Sequence, residues 1–449
     1  MDKSKASYFY RQEIFFSLAI SAMVAIIIVD TSVVKLYHLT VNPKISEWAL
    51  SIFITLSSLI VILQFLSLDL VNKTISKNVS DRIRFRKLNI TTTVVQIILA
   101  SIMCYLILEM ILLRAYTTAM LIYLTSASYF LATFLIILLS YRLVRWFRLN
   151  RNLPVLLYGI AACTLAVNLV LTVLLVDLQL LSKPSHTPSH IGFFSPFFTP
   201  RTSDINLLYI ATSALSFATM WLANVILLKN SFKALRKPYK TTIFWFMMII
   251  PLIYFMTQFQ PFFRGIFSPL LSSEPLLYGM ILTLIFAWSK TIGGILFYLP
   301  FRLAAGRLQK NSNLRRYLVF SAIGMLMVFA SNQAIVLVAA PYPPFGVPTV
   351  SIMGLSSYFL FLGIYLSAIA IGQDAQLRKF VRRTAESDSD LLHSIGSAYM
   401  EEEIILKFVR ITKQHASSLQ NETGVGLEPS VEDVKDYLKE VIKDLERNK

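Results

Sequence analysis

The sequence predicts an all-α, polytopic helical membrane protein with about ten transmembrane helices and a short cytoplasmic helical tail. Three observations lead there. Hydrophobic residues make up 55% of the 449 positions and charged residues only 15%, against about 25% charged in ordinary soluble domains. Apolar runs of about twenty residues, long enough to cross a ~30 Å hydrocarbon core as helix, recur along the chain and give a mean hydropathy of +0.62. Basic residues collect in every second connection between those runs. Together these features exclude a soluble enzyme, a nucleic-acid-binding module, a disulfide scaffold and a disordered chain.

Ten runs qualify, near 14–36, 48–71, 90–113, 117–141, 153–181, 206–228, 241–260, 276–299, 317–340 and 350–372. Lys3, Lys5 and Arg11 precede the first, and Lys73, Lys77, Arg82, Arg84, Arg86 and Lys87 follow the second. Arg142, Arg145, Arg148 and Arg151 follow the fourth, and Lys229, Lys233, Arg236, Lys237 and Lys240 the sixth. Arg302, Arg307, Lys310, Arg315 and Arg316 follow the eighth. These 23 basic residues stand against six in the alternate connections: Lys35, Lys44, Arg114, Lys183, Arg201 and Arg264. By the positive-inside rule, both termini lie in the cytoplasm and the chain is a multi-pass protein of the cell membrane.

The first run is too long for the apolar part of a signal peptide, and no small-x-small site follows it cleanly, so it reads as a retained helix. Asn-x-Ser/Thr sequons at Asn72, Asn78, Asn89 and Asn421 all fall on the cytoplasmic side and read as chance matches. Cys104 and Cys163 lie inside the third and fifth runs. They read as small buried residues, with no extracellular disulfide framework.

Three connections on the outer side, 182–204, 260–275 and 341–348, are rich in proline and phenylalanine. Proline blocks regular helix and aromatic rings suit the headgroup region, so these segments are expected to lie in the outer interface. The competing reading is a lid over an outward-facing pocket. His186 and His190 in the first of these connections, with His38 on the same face, are too few ligands for a metal site of fixed geometry. No metal is expected.

Ionisable and amide-bearing polar residues inside spans are taken as functional candidates, because hydrocarbon makes them costly. The set comprises Asp30, Glu109, Asn168, Lys290, Asn332 and Gln333. Counting ~1.5 Å per residue from the cytoplasmic edge places Asp30, Asn168, Asn332 and Gln333 near a common depth of ~22–25 Å. One reading is interhelical hydrogen bonding, with Glu109 paired to Arg114 or snorkelling. The other is a shared polar pocket for an ion or small solute. Lys290 lies close enough to the cytoplasmic end of its run to snorkel towards it, or else makes a buried contact beside Gly293 and Gly294. No phosphate loop, His-Glu-x-x-His motif or nucleophile elbow occurs. No catalytic residue, enzyme activity or cofactor is therefore expected.

Residues 1–372 carry a net charge of +20 and form the bundle; 373–449 carry −3 and form the tail. Arg378, Lys379, Arg382 and Arg383 make a basic stretch suited to an anionic membrane surface. A helix over 391–419 follows, with Leu391, Ile395, Ala398, Glu402, Ile405, Val409, Thr412, Ala416 and Leu419 at alternating spacings of four and three. That is a coiled-coil-like seam with two polar interruptions. A last amphipathic helix over 430–447 carries Val431, Val434, Leu438, Val441 and Leu445 on one stripe. Neither helix buries its stripe alone, so 391–449 is expected to self-associate or to bind a cytoplasmic protein. The lipid bilayer is the remaining partner, and nucleic acid is not one.

The stretches 371–379 (IGQDAQLRK) and 391–398 (LLHSIGSA) resemble the tails of uncharacterised multi-spanning membrane proteins of ammonia-oxidising archaea. The resemblance implies an archaeal setting, and that family has no assigned activity. Two functions remain in contention: a membrane sensor or scaffold signalling through its tail, and a secondary transporter of an ion or small solute built as five plus five helices. A continuous polar cavity joining Asp30, Glu109, Lys290 and Asn332 would favour transport.

Overall fold

The computed structural model describes residues 3–37, 43–75, 79–181, 203–233, 273–306, 312–339, 343–374 and 390–423, with a few isolated positions between them. The described residues form helices only: α1 (Lys3–Tyr37), α2 (Pro43–Ile75), α3 (Val79–Leu113), α4 (Thr118–Asn150), α5 (Leu153–Leu181), α6 (Ser203–Lys233), α7 (Pro275–Gly306), α8 (Asn313–Ser331), α9 (Ile335–Ala339), α10 (Val347–Ser351), α11 (Met353–Gln373) and α12 (Asp390–Thr423). In hydrocarbon the backbone must satisfy its own polar groups, and a helix does so within one segment. Hydroxyls on these helices are hidden the same way: Thr55, Thr91, Thr125 and Ser367 each donate to the carbonyl four residues earlier.

Among the described residues, eight helices or helix pairs are long and apolar enough to cross a membrane: α1 to α6, α8 with α9, and α10 with α11. The expected run 276–299 lies within α7, and 13 of the run's 24 side chains are outside the described residues. The run 241–260 falls almost entirely outside them. The structure thus supports a polytopic helical membrane fold without fixing the number of spans at ten.

At the centre stands α11. Every residue from Pro343 to Ile369 is buried, which suits a helix that is apolar all round and has no solvated face. Small residues let α8 and α11 approach closely. A Cβ on Gly324 would overlap the backbone of Leu360, and one on Gly363 the backbone of Ser321. Around this pair α4, α7 and α1 complete the bundle, while α2, α3 and α5 turn many large apolar side chains outward, among them Ile62, Ile98, Leu112 and Leu174. A lipid environment accounts for such exposure. Cys104 and Cys163 also face outward as free thiols. The expectation that they are buried is therefore corrected: each lies on the outward side of its helix.

Three further expectations change. The ninth run is not one helix, because α8 stops at Ser331 and resumes as α9 only at Ile335. The proline-rich segment 341–348 does not lie in an interface where it is described. From Pro343 onward it is buried, with the Phe345 ring edge-on to Phe53 at 5.7 Å. The tail helix α12 is not a free stalk either. Its residues Leu391, Ile395, Ala398, Glu402 and Ile405 are buried, against α11, α4 and α5 of the same chain. Gly396 meets Ile371, and Gly372 meets the Tyr399 ring, so close that neither position has room for a side chain. That half of the seam is filled by the bundle and not by a second copy. The helix expected over 430–447 lies outside the described residues.

Candidate functional site

The interruption in the ninth run organises the polar residues of the bundle. A helix that ends inside a membrane bundle leaves carbonyls without partners, and the break persists only if other groups meet them. At the end of α8, Lys290 of α7 donates from Nζ to the Asn332 carbonyl, and Gln333 Nε2 donates to the Ala330 carbonyl at 2.9 Å. The Asn332 side chain is fixed on both sides. Its Oδ1 accepts the Tyr129 hydroxyl of α4 at 3.1 Å, and its Nδ2 donates to Asn168 Oδ1 of α5 at 3.2 Å. Tyr129 also accepts the Ala334 N–H at 3.2 Å. Asn168 passes the network on, donating to Thr212 Oγ1 of α6 at 3.2 Å.

The return segment is held as firmly. Gly346 has a φ of 98°, a left-handed conformation open to glycine at little cost, and it cannot cap α10 with a side chain. Asp30 of α1 does so from across the bundle. Its carboxylate accepts the Gly346 N–H at 3.0 Å, the Thr349 N–H at 3.1 Å and the Thr349 hydroxyl at 2.6 Å. Gln64 of α2 donates to Ser351 Oγ at 2.8 Å, and Ser128 of α4 donates to the Val350 carbonyl at 2.7 Å. An acidic group therefore sits at a helix N-terminus and a basic group at a helix C-terminus, the arrangement that complements the backbone dipoles when both are ionised.

The six sequence candidates fall into three places. Asn168, Lys290, Asn332 and Gln333 surround the break at the end of α8. Asp30 holds the start of α10. Glu109 stands apart at the α3–α4 connection, where its carboxylate accepts the Thr117 N–H at 3.0 Å and the Thr117 hydroxyl. Glu109 thus secures the entry to α4 and does not pair with Arg114 as expected. Lys290 is only 6% exposed, so its side chain does not snorkel. Gly293 and Gly294 beside it allow close approach, to Phe217 and to the Leu326 backbone. Among the described residues the Asn332 carbonyl is the one partner of Lys290, and Gln333 Oε1 is buried with none.

Sequence reasoning missed a second polar centre, at the end of the bundle that carries the basic connections. Glu402 of α12 is 6% exposed and lies 2.9 Å from Arg142 Nη1 and 3.0 Å from Arg145 Nη1. Its other oxygen accepts the Trp146 Nε1–H at 3.2 Å. Arg142 also lies 5.3 Å from the centre of the Tyr365 ring, and Trp146 stacks on the same ring at 6.0 Å. The signal was present in the sequence as the acidic interruption of an apolar seam. Ser128, Tyr129, Gln64 and Thr349 gave no such signal, since hydroxyls and amides are common in apolar helices.

Of the four basic residues expected on a membrane surface, Arg378 donates to the Gly372 carbonyl. Lys379, Arg382 and Arg383 lie outside the described residues, as do His38, His186 and His190. Among the described residues no group of three or more His, Cys, Asp or Glu is placed to hold a metal ion. No protein family matches this chain, and neither does a curated protein or a solved structure, so its function is read from its own geometry.

Proposed function

We propose that this chain is a ten-span sensor of the cell membrane, with both termini in the cytoplasm, that passes a change at the polar break to its cytoplasmic helical tail. One observation carries the reading: α4 touches both centres. Ser128 and Tyr129 hold the interrupted segment, and Arg142, Arg145 and Trp146, about 20 Å further along at ~1.5 Å per residue, hold Glu402 of the tail. A second route runs beside it, since α11 begins at the return segment and ends against Gly396 and Tyr399. The 23-to-six distribution of basic residues supports the orientation. The resemblance of the tail supports an archaeal setting. Ile404, Leu406 and Ile411 of α12 are exposed, and they offer an apolar face to a second copy or a cytoplasmic partner.

Hydrogen exchange of the full chain in lipid nanodiscs tests the coupling. Glu402→Gln removes one charge from the tail contact and should raise exchange across 390–405. Tyr129→Phe deletes two hydrogen bonds at the far end of α4 and should raise exchange in the same residues. Tail protection that responds to Glu402→Gln and ignores Tyr129→Phe would sink the sensor reading.

A second reading, secondary transport by a five-plus-five arrangement, is favoured by the broken helix itself. Discontinuous helices with bare carbonyl ends build the ion and substrate sites of many transporters. Lys290 occupies the position at the end of α8 that a bound cation would take. Its test belongs to that residue and is argued in the Discussion.

A further inference from the structure

A separate crevice of about 350 Å³ opens among α1, α2, α7 and α8, away from both polar centres. Its volume lies within the ordinary range for small-molecule sites. The lining is sorted along its length. At one end stand three arginines, Arg302 from the last turns of α7 and Arg315 and Arg316 from the first turn of α8. Beyond them the walls are hydrocarbon: Phe16, Ile20 and Val24 on one face of α1, and Val319, Ile323 and Leu326 on α8. Residues 16 to 24 alone cover about 12 Å of helix. Hydroxyls of Ser17, Ser21, Thr74 and Tyr298 also line it, and among the described residues no acidic side chain does. Arg302 makes no hydrogen bond or ion pair among the described residues. The acidic residue in the preceding turn of α1, Glu13, would still leave the group with a net positive charge.

We propose that this crevice binds one anionic phospholipid, its phosphate against Arg302, Arg315 and Arg316 and the upper part of one chain between α1 and α8. Arginine is suited to phosphate because its planar fork donates two parallel hydrogen bonds. Basic pockets between membrane helices hold anionic headgroups on this principle. A free anion would leave the apolar walls empty, and a lipid without net charge would bring no surplus negative charge to Arg302, which makes no hydrogen bond or ion pair among the described residues. The site is independent of the sensor reading, because it shares no residue with the break or the tail contact.

Native mass spectrometry of the detergent-purified full chain tests it, with phosphatidylglycerol, phosphatidylcholine and inorganic phosphate as probes. One phosphatidylglycerol should be retained at least tenfold better than phosphatidylcholine. Arg302→Gln, at a side chain that holds no other group, should weaken retention roughly fivefold. The triple change of all three arginines to Gln should abolish the preference, and the triple change to Lys should keep it. Ile323→Trp, which fills the apolar part, should exclude the lipid while leaving the arginines in place. Equal retention of the two lipids, retention unaffected by Arg302→Gln or Ile323→Trp, or displacement by inorganic phosphate at matched concentration would each overturn the proposal.

Discussion

Asp30 and Lys290 show that two buried ionisable residues can be held on very different terms. Asp30 accepts three hydrogen bonds and does the work of a missing helix cap. Removing it strands two backbone N–H groups and a hydroxyl in the bundle. Asp30→Ala should therefore destabilise the chain by about 3 kcal/mol, at ~1–3 kcal/mol for each buried group left unsatisfied, and the thermal midpoint in detergent should fall by several degrees. Lys290 brings a long side chain and up to three donors to a single carbonyl among the described residues. Lys290→Met frees that carbonyl but also removes the desolvation cost of the amine, so the midpoint should move little. A buried lysine whose replacement leaves the midpoint in place would be marked as a functional group. In proteoliposomes holding a pH-sensitive dye, a transporter would couple an imposed sodium or potassium gradient to proton movement, and Lys290→Met would abolish it. Gradient-independent dye signal in the wild-type chain would remove cation–proton exchange and favour the sensor reading. Sequence alone flagged both residues, because charge within an apolar run is visible. It did not separate them, because the Gly346 and Thr349 partners lie more than 300 residues from Asp30.

At the scale of elements, α8 and α11 are bound by shape. Gly324 and Gly363 have no space for a methyl group, since each faces the backbone of the other helix. Gly363→Ala should push the helices apart and cost about 2 kcal/mol, the usual penalty of an overpacked core, read as a lower midpoint in detergent. Gly306, with nothing within 4 Å of a Cβ, supplies the control, and Gly306→Ala should leave the midpoint in place. If both glycine variants behave alike, the contact is looser than described. Among the described residues helix existence was legible, since an apolar run of twenty residues has few alternatives in hydrocarbon. The break after Ser331 was not. Asn332 and Gln333 look like ordinary polar residues in a helix, and what ends α8 there is a set of partners from α4, α5 and α7. The seam on α12 was legible as an apolar stripe. A stripe does not name what covers it, and here the cover for its first half is the chain's own bundle.

For the whole molecule, the division between its two ends matters most. One end carries Arg142, Arg145, Arg302, Arg315 and Arg316, together with the docked helix α12. The other carries the Glu109–Thr117 contact and, deeper in, the interrupted segment. Basic residues resist translocation, so the first end should face the cytoplasm. Docking of the tail places α12 at that same end, because Glu402 of α12 meets Arg142 there. The charge count gives the expected orientation, and the contact gives the side of the tail. Cysteine labelling in intact cells checks them together. With Cys104 and Cys163 first changed to Ser, a single cysteine at Ser189 should react with a membrane-impermeant maleimide. A single cysteine at Arg148 should react only after the membrane is permeabilised. Reaction at both positions from outside would mean that α5, which separates them, does not carry the chain across. Reaction at Arg148 alone would invert the orientation, placing the basic crevice and the docked tail on the outer surface and ending the case for a cytoplasmic output.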